Sequence, residues 1–134
     1  MARQLSVDTT FLIDLQRERS SADGDGPAHQ FLRQSPDTEL FLSAVAFGEF
    51  VEGFDRADHP VVTAVRNAHT LIPVDDDVAV VYAQVVRQLR GRGELIGTND
   101  LWIGCTSLRS NMPILTANVA DFRRIVGLGI VSYR

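Results

Sequence analysis

Asp8 ends the apolar run Leu5-Ser6-Val7 and is followed at once by Thr9-Thr10-Phe11-Leu12-Ile13, a stretch that opens a helix. In a parallel α/β sheet the carboxyl ends of the strands form the ligand crevice. A carboxylate delivered there, ahead of a threonine able to cap the next helix, stands where ligands bind. An isolated Asp after a strand serves equally well as a turn residue. What argues for a site is company: Glu49, Asp100 and Asp121 stand in comparable strand-to-helix settings. Glu49 lies within Ala44-Val45-Ala46-Phe47-Gly48-Glu49-Phe50-Val51, nearly surrounded by apolar residues, a costly place for a carboxylate unless something binds it. Gly48 beside it costs a helix roughly 1 kcal/mol relative to Ala, which predicts that another backbone or a ligand approaches closely there. If the four acids meet, their repulsion must be neutralised by divalent cations or basic groups. Hard carboxylate oxygens without His or Cys select Mg2+ or Mn2+.

The elements that must bring these acids together are legible as alternating short apolar runs and helical patterns. Strands are expected near residues 3–8, 39–43, 70–74, 113–116 and 130–133, and helices over 9–19, 27–34, 44–54 and 60–67. Ser43 is positioned to cap the third of these helices. A further helix follows Asp75-Asp76-Asp77 with Val78, Val81, Val85 and Leu89 on one stripe, and another begins at Thr98 or Asn99, with either as cap and Asp100 in its first turn. The alternation predicts a doubly wound, three-layer α/β sandwich with a mainly parallel central sheet of about five strands, in a single domain over residues 1–134. Such a sheet collects loops that are distant in sequence at one edge.

Composition removes several alternatives. A chain of 134 residues buries about two thirds of its unfolded surface around one core. No run of about 18 apolar residues could span a membrane, and the N-terminus, interrupted by Asp8, does not read as a signal peptide; a cytoplasmic location is expected. Cys105 is alone and sits in an apolar helical pattern, which reads as a small buried residue. Net charge is −4, which on its face argues against nucleic acid as a partner, yet all 13 basic residues are Arg. The absence of Lys excludes a Walker A loop, a Schiff base and a receiver-type phosphorylation site. Asp23-Gly24-Asp25-Gly26 lacks the remaining ligands of a calcium loop. The Asp75–Asp77 triplet reads as a helix N-terminus, one Asp capping and the others favourable to the helix dipole. Scattered histidines at 29, 59 and 69 exclude a zinc spacing.

Four segments, Val7-Asp8-Thr9-Thr10, Ser43 to Gly48-Glu49, Ile96-Gly97-Thr98-Asn99-Asp100-Leu101-Trp102-Ile103 and Leu115-Thr116-Ala117-Asn118-Val119-Ala120-Asp121-Phe122, together resemble the PIN-domain ribonucleases, specifically the VapC toxins of toxin–antitoxin pairs. The resemblance covers nearly the whole chain; one local departure is Gly104-Cys105, where the family usually carries alanines. It implies a Mg2+-dependent endoribonuclease, with Mn2+ able to substitute, in which Asp8, Glu49, Asp100 and Asp121 form the catalytic and metal-binding quartet. Asp8 and Asp100 are then the main ligands, and Thr9, Thr116 and Asn118 orient ligands or substrate. Arg87, Arg90, Arg92, Arg123 and Arg124 are candidates for RNA phosphate contacts, although solvated helix faces explain any one of them equally well. The resemblance further implies a homodimer and a cognate VapB-type antitoxin. Two other readings stay open, an RNA-processing PIN nuclease outside any toxin pair and a non-catalytic PIN-like binding module. A haloacid-dehalogenase-type phosphotransferase needs a second Asp where Thr10 stands, and a lysine.

Overall fold

A computed structural model describes residues 2–134. The elements run β1 (Arg3–Val7), α1 (Thr9–Arg19), α2 (Pro27–Gln34), β2 (Thr38–Ser43), α3 (Ala44–Glu52), α4 (Pro60–Ala68), β3 (Thr70–Ile72), α5 (Asp76–Gly91), α6 (Thr98–Arg109), β4 (Ile114–Thr116), α7 (Val119–Phe122) and β5 (Ile130–Ser132). The five strands form one sheet in the order β3-β2-β1-β4-β5, and every pairing is parallel rather than mainly so. Leu5, Ser6 and Val7 in β1 and Ile114, Leu115 and Thr116 in β4 are all buried. Because successive strand residues point to opposite faces, burial of every one means that helices cover both faces of the sheet.

The order reverses beside β1: the chain lays β2 and β3 on one side of it and returns to place β4 and β5 on the other. A reversal of this kind opens a crevice at the carboxyl ends of the two strands that flank it, here β1 and β4. Register aligns them, with Val7 opposite Leu115. The Asp8 N–H donates to the Leu115 carbonyl at 3.0 Å, so the ladder continues to the residue that carries the first carboxylate.

Caps at the helix starts are partly those expected. The Ser43 hydroxyl accepts from Ala46 N–H at 3.1 Å, and Asp75 accepts from Val78 N–H at 2.9 Å. With Asp77 paired to Arg109 at 3.2 Å, the acidic triplet is an exposed helix start. The other two caps differ. Asp8 occupies the N-cap position of α1 without a side-chain cap bond, and Gly97 that of α6, so Thr9, Thr98 and Asn99 lie inside their helices. The hydroxyl of Thr9 and the amide of Asn99 are spent elsewhere, on Glu49. Gly48 is also unlike its expectation: a Cβ there would meet only open space, so no backbone crowds it. Gly104, in the middle of buried α6, is crowded instead: a Cβ there would stand 2.5 Å from Ile125 Cδ1 and 3.3 Å from Phe122 Cδ1. Close packing of α6 on Phe122 and Ile125 therefore favours glycine at this position.

One clip could not be read from local pattern. Glu18, in the last turn of α1, turns back to the start of α2 and accepts from the N–H groups of Gly26, Ala28 and His29 at 3.0, 2.9 and 2.9 Å, with His29 Nδ1 at 2.8 Å. Burial raises the pKa of this carboxyl, but the combined donors prevail and hold it below the ordinary value. Glu18→Ala should lower stability by about 1–2 kcal/mol, the usual effect of losing a helix N-terminal acceptor. A folded-state value below the unfolded one means the contribution is complete above about pH 4.5 and is lost as pH falls through the lower value. Urea melts of wild type and variant at pH 7 and pH 3 check both points, and the gap should close at the acid end.

Candidate active site

Asp8 is 2% exposed, and its Oδ2 accepts two hydroxyl hydrogen bonds, from Thr10 at 2.9 Å and from Thr116 at 2.7 Å. Thr116, the last residue of β4, also accepts from Asn118 N–H at 2.8 Å, which fixes the turn that follows. From that turn Asn118 Nδ2 donates to Asp121 Oδ2 at 3.1 Å. Glu49, half-buried on α3, accepts from Thr9 Oγ1 at 2.7 Å and from Asn99 Nδ2 at 3.1 Å. Asp100 lies in the first turn of α6, next to a shallow recess of about 370 Å³ lined by Glu49, Gly97, Thr98, Asn99 and Asp100. The strand ends, the start of α6 and the middle of α3 thus converge on one crevice.

The electrostatics show that the four acids feel one another. Burial pushes the Asp100 carboxyl up to about 6, and the negative charges of Asp8, Glu49 and Asp121 push in the same direction. Burial also raises Asp8; the Thr116 and Thr10 hydroxyls and the Thr9 N–H pull the other way, and Glu49 adds repulsion. Among the described residues, no Arg or His forms an ion pair with any of the four. Like charge gathered without a counter-charge is destabilising by itself and is the donor chemistry of a hard divalent cation. Among the described residues, only the exposed Asp75–Asp77 trio brings three carboxylate oxygens within 4.8 Å of one another. The wider quartet suits a divalent ion that keeps several waters and takes only one or two carboxylates directly.

Thr9 is thus placed on Glu49, Thr116 on Asp8 and Asn118 on Asp121. Two further donors belong with them: Thr10, on Asp8, and Asn99, on Glu49. Nearness in sequence to Asp8 and to Asp100 is the only signal that could have marked either. The arginines divide. Arg92 donates to Glu94 at 2.9 Å and to the Arg124 carbonyl at 2.8 Å, while Arg124 reaches the carbonyls of Glu94 and Leu95 at 3.4 Å. These two clasp the loop that leads into α6. Arg87 and Arg90 on α5 and Arg123 after α7 are exposed. Cys105 is buried, its thiol pushed up to about 12 by burial, and takes no part. Among the described residues, no helix is long and apolar enough to cross a membrane.

The chain is similar to known proteins over nearly its whole length. The chain is 27% identical over 131 residues to Ribonuclease VapC1 of Methanocaldococcus jannaschii, covering 97% of this chain and 87% of the relative. It is 29% identical over 136 residues to Ribonuclease VapC of Rickettsia bellii, covering 96% and 95%. Among solved structures, DNA-bound VapBC from Salmonella typhimurium superposes with a TM-score of 0.82 at 18% identity over the full length of both chains. VapBC-1 from nontypeable Haemophilus influenzae gives 0.79 at 23% identity, over 97% of this chain and 98% of that one. The PIN domain profile matches residues 5–128, a span that takes in β2, β3, β4, most of β1 and the positions of all four acids. The chain belongs to the PIN domain family.

Proposed function

We propose that this chain is a divalent-metal-dependent endoribonuclease and the toxin of a toxin–antitoxin pair. The observation that carries the reading is the unpaired quartet at the β1/β4 crevice, with the Asp100 carboxyl at about 6. Asp8 and Asp100 would hold Mg2+ or Mn2+, which when bound would make water a better nucleophile and offset charge on a phosphodiester. Thr10 and Thr116 hold the Asp8 carboxylate in place. Glu49, oriented by Thr9 and Asn99, and Asp121, oriented by Asn118, take hydrogen bonds from the attacking water, and one of them accepts its proton. Arg87, Arg90 and Arg123 offer phosphate contacts around an acidic centre.

Relatives named as VapC ribonucleases and fold neighbours solved as VapBC complexes favour the toxin over a processing nuclease or a non-catalytic module. The partners are RNA, a second copy of the chain and a VapB-type antitoxin. A pocket of four acids around a displaceable cation is also a receptor for an arginine, whose planar fork pairs bidentately with carboxylates. The test is cleavage of a labelled RNA by the purified protein in Mg2+, with and without the protein encoded beside it, at several Mg2+ concentrations. Cleavage that the neighbour suppresses, less so as Mg2+ rises, is expected. No cleavage overturns the nuclease, and cleavage indifferent to the neighbour overturns the toxin.

A further inference from the structure

The donors around the acids form a series that nearly closes on itself. Thr116 ties Asp8 to the turn before α7, from which Asn118 reaches Asp121. On the other side Glu49 accepts from Thr9, the neighbour of Asp8, and from Asn99, the neighbour of Asp100. The remaining link runs between the segment that carries Asp121 and the segment that leads to Asp100. Two arginines supply it. Arg92, just after α5, donates through Nη2 to the Arg124 carbonyl at 2.8 Å, while its Nε is held by Glu94 at 2.9 Å. Arg124, whose N–H donates to the Asp121 carbonyl at 3.1 Å, returns its Nη1 to the carbonyls of Glu94 and Leu95, each at 3.4 Å. Among the described residues, no other hydrogen bond reaches those two carbonyls. Two residues beyond Leu95 stands Gly97, the N-cap position of α6.

We propose that Arg92 and Arg124 are positioning residues for a divalent cation: their reciprocal clasp closes the ring of donors and fixes the start of α6, with Asp100, against the turn that carries Asp121. Local packing leaves this task open. Leu95 is exposed and Ile96 only half-buried, and the start of α6 has no side-chain cap bond. With the clasp undone, the lead-in from Glu94 to Gly97 is free to shift, whereas a metal site needs its ligands held to within about 0.5 Å. A guanidinium suits the role, because it is always charged and presents several donors in a fixed plane. Groups that orient ligands from outside commonly alter metal affinity by an order of magnitude or more. The inference rests on the divalent-metal reading of the quartet, and it moves these two arginines from RNA contact to the support of the site.

Charge and position predict opposite signs for the same substitution. Deleting a positive charge near four carboxylates should by Coulomb attraction alone tighten cation binding, whereas opening the clasp should weaken it. The experiment is Mn2+ binding to Arg92→Met and Arg124→Met, followed by electron paramagnetic resonance at pH 7, at a temperature where circular dichroism shows the proteins folded. Each variant should bind Mn2+ about tenfold more weakly than wild type. If one fails to fold, the other, which opens the opposite limb of the clasp, decides. In the metal-free variants the Leu101 amide, which donates to the Gly97 carbonyl at 2.9 Å, should exchange faster with solvent. RNA cleavage lost at low Mn2+ should return as Mn2+ is raised, with KM for RNA unmoved. Mn2+ binding that is unchanged or tighter in the folded variants overturns the proposal, whatever happens to the melting temperature. A raised KM for RNA with Mn2+ affinity intact overturns it too and assigns these arginines to phosphate contact. Wild-type protein that binds no Mn2+ overturns the metal reading itself instead.

Discussion

Asp100→Asn should abolish RNA cleavage, by about a thousandfold or more, while the protein folds as well in chelator as the wild type or better. The two halves have one cause. On the proposed metal mechanism the site gathers negative charge for a cation, so removing a principal ligand would remove most of the chemistry that a bound ion supplies. The same removal relieves repulsion in the metal-free protein, where Asp100 sits half-buried against Asp8, Glu49 and Asp121. The relief is on the order of 1 kcal/mol after screening by solvent, equivalent to a rise of a few degrees in Tm. Asp8→Asn should be as inactive. Its side chain, however, takes hydroxyls from Thr10 and Thr116 on Oδ2, so it should gain less stability than Asp100→Asn. Cleavage assays and thermal melts in EDTA measure both quantities. A sharp fall in metal-free Tm would make these acids structural.

Metal removal should be equally decisive, and its pH dependence distinguishes this site from a general acid–base pair. Excess EDTA should eliminate cleavage, and Mg2+ or Mn2+ should restore it; persistence in EDTA would sink the metal mechanism. If Asp100 is a metal ligand as proposed, proton and cation compete for it, since its folded pKa is about 6 against an ordinary 3.8. Apparent metal affinity should therefore fall as pH drops below about 6, and raising Mg2+ at pH 5.5 should recover much of the lost rate. Metal-free stability runs the opposite way. A carboxyl whose folded value is raised makes no penalty below its unfolded value near 3.8, accumulates one between there and about 6, and keeps it above. The stabilisation that saturating Mg2+ confers should accordingly be greatest at neutral pH. Melts with and without Mg2+ from pH 5 to 8 test this, and a constant increment across the range would contradict it.

The sequence by itself determined the class of fold and singled out the four acids that the fold brings together, because both are written in short windows. Leu5-Ser6-Val7 followed by an acid, or Leu115-Thr116 followed by a turn, announces a buried parallel strand that ends at a ligand edge, and the alternation of such runs with helical stripes implies a doubly wound sheet. The caps of α1 and α6 were misjudged for a local reason: Thr9, Thr98 and Asn99 have the chemistry of caps, and nothing nearby shows that Thr9 and Asn99 are engaged by a carboxylate 40 and 50 positions away. The openness around Gly48 and the crowding of Gly104 by Ile125 were equally invisible, since each depends on which element packs across the helix. Only the tertiary structure decided which donors orient the quartet. Thr116 meets Asp8 across 108 residues, because parallel strands align their ends through long crossovers. Side-chain periodicity reports which face is buried, whereas hydrogen-bond partners at the sheet edge are set by strand register and helix packing that no short window contains.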